Sequence, residues 1–200
     1  MKLLVIRHGE SEADLLDVHE GRADFALTER GHRQAQAMAQ YVAENYHIDR
    51  IYASTLTRAM QTARHLSDST CVPIRPEHDL MEFNNGLLAG LPHKEAAEKY
   101  PRVPDLPPDK SVYEQESLVE FRDRAERILT KILAEASEND TVAVVTHGGM
   151  INQLYHAFLK LPVKDGMFFS TVDTGIHEWI VEQTERRVAR SNYDAHTKDI

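Results

Sequence analysis

Three places along this 200-residue chain put cationic or nucleophilic side chains directly after a short apolar segment. Leu3-Leu4-Val5-Ile6 runs into Arg7-His8-Gly9-Glu10. Ile51-Tyr52-Ala53 runs into Ser54 and, one turn on, Arg58. Val142-Ala143-Val144-Val145 runs into Thr146-His147-Gly148-Gly149. Two arginines and two histidines gathered at one point suit a tetrahedral dianion. A phosphate monoester carries about −1.5 to −2 charge near pH 7, and arginine presents paired donors matched to its oxygens. Two histidines allow one to be neutral and nucleophilic while the other is a charged donor. The eleven histidines include no H-x-H and no H-E-x-x-H spacing, and the chain has no glycine-rich nucleotide loop, so neither a metal nor a cofactor is expected.

Such convergence needs the three apolar segments to be neighbouring strands, because ligands of open α/β sheets bind beyond the carboxyl ends of the strands. Helix starts after Ser54 and after His147 would then add backbone N–H donors and positive dipole ends. Helical periodicity fills the intervals. Residues 28–46 carry Ala35, Met38, Val42 and Tyr46 on one stripe, with Thr28 as N-cap. Residues 117–137 share a face through Leu118, Phe121, Ala125, Ile128, Leu129, Ile132 and Leu133. There Ser117 and Glu120 form a capping box, and Glu120/Arg124 and Asp123/Arg127 make i,i+4 pairs on a solvated face. Residues 149–160 form another helix, and Phe168–Val172 and Ile176–Val181 read as strands near the sheet edge. Strands alternating with helices give a single α/β domain over residues 1–200: a three-layer α/β/α sandwich around a mostly parallel mixed sheet. Residues 83–116, broken by Pro101, Pro104, Pro107 and Pro108, read as a cap over the site.

Composition limits the partners. With 23 basic against 32 acidic residues, the formal net charge of −9 speaks against nucleic acid and anionic membrane. The N-terminal apolar run ends after four residues, too short for an export signal, and no stretch approaches a membrane span. The lone Cys71, flanked by Val72, Pro73 and Ile74, reads as a small buried residue in a cytoplasmic protein.

Arg7-His8-Gly9-Glu10-Ser11 resembles the signature of the histidine phosphatase superfamily, in its phosphoglycerate mutase-like branch. Further blocks follow in the family's order: Gly21-Arg22-Ala23-Asp24 with Leu27-Thr28-Glu29-Arg30-Gly31, then Ser54-Thr55-Leu56-Thr57-Arg58-Ala59, then Glu82 with Gly86 and Gly90, then Thr146-His147-Gly148-Gly149. The resemblance implies a metal-independent phosphatase for a small phosphorylated metabolite. His8 would attack phosphorus and become a phosphohistidine. Arg7, Arg58 and His147 would hold the phosphoryl oxygens, with Ser11 and the Gly148 N–H also touching phosphate. Glu82, set among Leu80, Met81, Phe83, Leu87 and Leu88, would protonate the leaving oxygen.

Two departures stand out. Asp14 occupies a position where the family commonly has an asparagine, so it is expected to turn away, to be protonated, or to pair with Arg22. Leu87-Leu88-Ala89 replaces the aromatic and acid often found between the two loop glycines. A phosphoglycerate mutase using the same His8 is the alternative; Lys94, Lys99, Arg102 and Lys110 form no carboxylate-binding motif in the insert, which favours hydrolysis. A phosphate- or phosphopeptide-binding module is a third reading, supported by Asp14 and opposed by the presence of His8 and Glu82 together. One basic pocket on an acidic surface would favour small phosphates over polyanions.

Overall fold

Every residue from Leu3 to Ile6 is buried, yet consecutive strand side chains face opposite ways, so this strand must be covered on both faces. The computed structural model describes residues 1–163, 166–183 and 185–200. Its sheet contains β1 (Lys2–Arg7), β2 (Arg50–Ser54), β3 (Ile74–Glu77), β4 (Thr141–Thr146), β5 (Ile176–Val181) and β6 (Arg186–Tyr193), in the order β3-β2-β4-β1-β5-β6. β4 lies parallel between β1 and β2, and β5 and β6 close one side antiparallel. The helices are α1 (Glu12–Leu16), α2 (Glu29–Asn45), α3 (Thr57–Thr70), α4 (His93–Lys99), α5 (Leu118–Glu135) and α6 (Gly148–Leu159).

Alternation sorts the core into two halves. Leu3, Val5, Val142, Val144 and Trp179 pack with Phe121, Ile128 and Ile132 of α5 and with Ile151, Leu154 and Phe158 of α6. Leu4, Ile6, Ala143 and Val145 pack on the opposite face with Met38 and Val42 of α2 and with Ala59, Ala63 and Leu66 of α3. The α/β/α layering expected from the sequence is therefore present. Both anticipated helix starts form as well: Thr28 accepts from the Gly31 N–H at 2.9 Å, and Ser117 and Glu120 make a capping box. Among the described residues no helix is long and apolar enough to cross a membrane.

Several expectations fail for identifiable reasons. Phe168–Val172 is not a strand: both edges of β1 are taken, by β4 and β5, and the 169–172 backbone bonds to side chains instead. There the Phe169 N–H donates to Asn152, the Val172 N–H donates to Asn192 and the Thr171 carbonyl accepts from Arg7. Cys71 is exposed, because it closes α3 in the left-handed region at φ 59° and so leaves the helix's packed face. Two strands carried no apolar signal: β3 contains Pro76 and β6 is largely polar, with three arginines among its eight residues, as suits edge positions. The charged face of α5 is only partly solvated, since Arg122 and Arg124 are buried, and neither expected i,i+4 pair forms. Arg124 joins Glu116 and Arg127 joins Asp79.

Apart from His8 and His147, the nine remaining histidines read from the sequence as surface or capping residues, and His177 departs from that. It is fully buried on β5, where its Nδ1 accepts from the Asn192 N–H at 3.1 Å and its Nε2 faces the Thr171 hydroxyl at 2.9 Å. Burial pushes its pKa down to about 4, from an ordinary value of 6.5. The unfolded chain therefore binds a proton between these values that the folded chain refuses, and stability is lost as pH falls from 6.5 toward 4. This residue alone should cost about 2 kcal/mol between pH 7 and pH 5. Urea unfolding of wild type and His177→Gln at the two pH values checks this: the variant should lose less on acidification, and an equal loss would place the effect elsewhere.

Candidate active site

Because β4 lies between β1 and β2, the ends of these three strands are adjacent, and the residues that follow them meet at one edge of the sheet. Arg7 is in register with Thr146, and the His8 N–H donates to the Thr146 carbonyl at 2.9 Å. The His8 and His147 rings lie with centroids 5.0 Å apart, both fully buried. The close approach that builds this corner needs glycine. A Cβ at Gly9 would run into the Gly31 carbonyl, which packs the His8 turn against the start of α2. Glu10 bolts the same joint by accepting from Thr28 and Arg30, each at 2.7 Å.

His8 is presented as a neutral base. Its Nδ1 lies 2.7 Å from the Gly9 carbonyl, which can only accept, so Nδ1 carries the proton and Nε2 offers its lone pair. Burial, then Arg58, then Arg7, hold its pKa well below the ordinary 6.5. Arg58 lies 3.3 Å from that lone pair through Nε, and its other nitrogens donate to the Ala23 and Gly21 carbonyls at 3.0 and 2.7 Å. Asp24 holds the start of α3 by accepting from the Thr57 N–H and hydroxyl, so one loop both cradles Arg58 and anchors the helix that carries it.

Arg7 directs one nitrogen to the Thr171 carbonyl (3.0 Å) and another to Asp173 (3.3 Å). His147 is the N-cap residue of α6, with its Nε2 2.7 Å from the Ser54 hydroxyl. Arg7 Nε and His147 Nδ1 are both buried without a hydrogen-bond partner among the described residues. Burial, then Arg58 and His8, also hold the His147 pKa well below 6.5, so the expected charged histidine is a neutral one here. Across the site, the Glu82 carboxylate accepts from the Phe83 N–H and from the Gly149 N–H in the first turn of α6, both at 2.8 Å. A Cβ at Gly149 would collide with that carboxylate. The apolar neighbours expected around Glu82 do not surround it evenly, since Leu80 turns into the core and Leu87 is exposed.

A sequence model of the histidine phosphatase superfamily (branch 1) matches residues 3–194. The chain belongs to this superfamily. Phosphoserine phosphatase 1 of Hydrogenobacter thermophilus is 28% identical over 98% of this chain and 94% of its own length. A 2,3-bisphosphoglycerate-dependent phosphoglycerate mutase of Cytophaga hutchinsonii is 31% identical over 82% and 79%. Among solved structures, the phosphoserine phosphatase of Entamoeba histolytica in complex with 3-phosphoglyceric acid aligns with a TM-score of 0.80, 26% identity and 98% coverage of both chains.

Within this candidate site, two sequence readings change. The pocket is not simply basic, because each arginine meets a carboxylate: Arg7 meets Asp173, and Arg58 meets Glu20 at 3.1 Å. Glu20, absent from the sequence-derived site, also accepts from the Ser11 hydroxyl and stands 3.7 Å from His8 Nε2. Asp14 does not pair with Arg22. It belongs to the capping box of α1 and accepts from the Ser11 N–H at 2.8 Å, while Arg22 reaches the Glu82 carbonyl (3.3 Å) and Glu116 (3.5 Å).

Arg124 is the second missed residue. From α5 it donates to the Asp79, Met81 and Glu82 carbonyls at 2.9, 2.6 and 3.1 Å, and to both oxygens of Glu116. It thus holds the backbone on which Glu82 sits. A helical charge pattern cannot distinguish such a residue from surface, since its acceptors are carbonyls far away in sequence. Arg124→Met should lower the unfolding free energy by about 3–5 kcal/mol, by taking from partly buried Glu116 its nearest cation and from the Asp79 and Met81 carbonyls their Arg124 donors. Arg127→Ala, which breaks an exposed pair with Asp79, should cost under about 1 kcal/mol. Urea unfolding of the two variants makes the comparison, and equal losses would contradict it.

Proposed function

We propose that this protein is a metal-independent phosphatase that hydrolyses small phosphomonoesters through a phosphohistidine on His8. The observation that carries the reading is the pair of unpartnered polar atoms, Arg7 Nε and His147 Nδ1, buried beside a neutral histidine whose Nε2 lone pair faces Arg58. Leaving such a group unpaired costs about 1–3 kcal/mol, and an oxyanion supplies the missing partner. His147 can donate without being charged: when the Ser54 hydroxyl donates to Nε2, the proton rests on Nδ1.

The reaction divides into two displacements. His8 Nε2 attacks phosphorus as the ester P–O bond breaks, and Arg7, Arg58 and His147 hold the equatorial oxygens, where charge is spread in the transition state. Glu82 gives its proton to the leaving oxygen. It then takes a proton from the water that attacks the phosphohistidine, releasing inorganic phosphate and returning His8 to its neutral form. Ser11 and the Gly148 N–H complete the phosphate contacts in this reading.

Residues 83–116 are proposed as the cap that selects the organic part of the substrate. They line a cavity of about 400 Å³, whose walls include Leu88, Tyr100, Val103, Leu106 and Tyr113, with Arg102 and Lys110. Phe83 and His19, also in its wall, follow Glu82 and precede Glu20 in the chain. That lining suits a substrate with an apolar body more than a long polyanion.

Release of phenolate from an aryl phosphate in EDTA tests the central claim. Wild type should turn over, and His8→Ala should lose roughly 10⁴-fold or more of kcat/KM; an active His8→Ala variant would sink the phosphohistidine. Because mutases are among the relatives, 3-phosphoglycerate should be supplied as well. Isomerisation faster than phosphate release would replace hydrolysis by phosphoryl return. The depressed pKa of His8 also sets a pH expectation. The nucleophile stays unprotonated below pH 6.5, so the acid limb of kcat/KM that reports His8 should lie well under that value. A half-loss at pH 6.5 or above would contradict the burial argument.

A further inference from the structure

Glu20 stands where a phosphoryl group would have to stand. For in-line attack, phosphorus must come within about 3–3.5 Å of the His8 lone pair, and Glu20 Oε2 lies 3.7 Å from His8 Nε2. Its Oε1 lies 3.1 Å from Arg58 Nε and accepts from the Ser11 hydroxyl. Three groups expected to meet a phosphate, His8, Arg58 and Ser11, are thus met by an anionic oxygen of the chain itself. A carboxylate and a phosphate dianion cannot share that position while both are charged. The side chain must move aside in either case, and there it either stays a carboxylate that repels the phosphate or becomes a neutral acid that donates to the incoming oxygen.

We propose that Glu20 is a substrate-binding residue: it holds the phosphoryl position as a carboxylate and takes up one proton when the phosphoryl group arrives, donating that proton in a hydrogen bond to a phosphoryl oxygen. This rests on the phosphatase reading of the same pocket. The balance is simple: one proton comes from solvent per phosphoryl group bound, no substrate bond changes, and the proton returns to solvent when phosphate departs. The surroundings favour it. Arg58 on α3, Arg7 on β1 and the Ser11 hydroxyl draw Glu20 toward its charged form, while burial and the Asp14 carboxylate on α1 oppose them. Burial is the largest of these influences, and Glu20 lies above the ordinary carboxyl range before any phosphate adds its own negative charge. His8, whose Nε2 faces Glu20 at 3.7 Å, is held neutral and supplies no counter-charge. The leaving phosphate would meet the same carboxylate re-forming behind it, so one residue tunes both capture and release.

The test measures inhibition of aryl phosphate hydrolysis by inorganic phosphate from pH 5 to pH 8, in wild type, Glu20→Gln and Glu20→Ala. Comparing proteins at each pH cancels the ionisation of the phosphate itself. Glutamine keeps a donor at every pH, so the ratio of wild-type to Gln inhibition constants should start near one in acid and climb by up to about tenfold per pH unit once Glu20 is ionised. Alanine removes the charge without supplying a donor, so it should bind phosphate more weakly than wild type in acid and more tightly at pH 8. Parallel profiles for wild type and Gln would overturn the proposal. Coincident profiles for Gln and Ala would also overturn it, by making Glu20 a mere obstruction. Calorimetry of phosphate binding to wild type at pH 8, in two buffers of different ionisation enthalpy, needs no variant. Uptake of about one proton is expected, and none would refute the idea. Wild type that fails to hydrolyse the aryl ester refutes the phosphatase reading instead, so the two failures are distinguishable.

Discussion

A fully buried guanidinium beside a histidine lone pair is the constraint around which this site is arranged. Arg58 has no exposed surface, and an arginine taken out of water must have its donors met. The carbonyls of Gly21 and Ala23 and the carboxylate of Glu20 meet them, which fixes the course of the loop between α1 and α2. Asp24 of that loop in turn holds the start of α3, from which Arg58 projects. The loop and the helix therefore specify each other. Burial of the two site histidines, reinforced by Arg58, keeps both of them neutral.

Charge balance follows from the same condition. An unpaired arginine cluster in a dry pocket would destabilise the fold, and here Asp173 stands against Arg7 and Glu20 against Arg58. Burial pushes the pKa of both carboxyl groups upward. Each of these cations is thus answered by a carboxylate, which the proposed binding of a dianion would have to displace or neutralise. The expectation of one basic pocket on an acidic surface missed this. It counted the residues of matched motifs and left out the carboxylates between them.

What could be read from the chain was whatever leaves a local pattern. The apolar runs ending at Arg7, Ser54 and His147 announced three strands covered on both faces, and their order in the sheet brought their ends together. Thr28 and Ser117 marked helix starts because capping is a contact between near neighbours in sequence. What could not be read depends on distant partners. Arg124 looks like a solvated helix residue until the 79–82 backbone lies against it, and His177 looks ordinary until β6 covers it. β3 and β6 are edge strands, whose exposed faces tolerate the charged residues and the proline that hide them from an apolar pattern. Glu20 falls in the same class, since nothing in His19-Glu20-Gly21 says that its carboxylate will lie against His8.

The two groups of the proposed reaction rest on separate supports. His8 is held from below by its own backbone, by Thr146 across the sheet and by Arg58 beside it. Glu82 hangs from the other side, on a segment gripped by Arg124, Arg22 and Glu116, and its carboxylate is aimed by two backbone N–H groups, one from the first turn of α6. α6 is what the two halves share: its N-cap His147 lies tilted beside His8, ring centroids 5.0 Å apart, and two residues on the Gly149 N–H donates to Glu82. The separation between nucleophile and proton donor is therefore set by the first turn of one helix, a rigid element. Glu116 closes this support from the far end of the 83–116 segment, taking both Arg124 and the Asn84 N–H, so the segment proposed as the cap is tied to the position of Glu82.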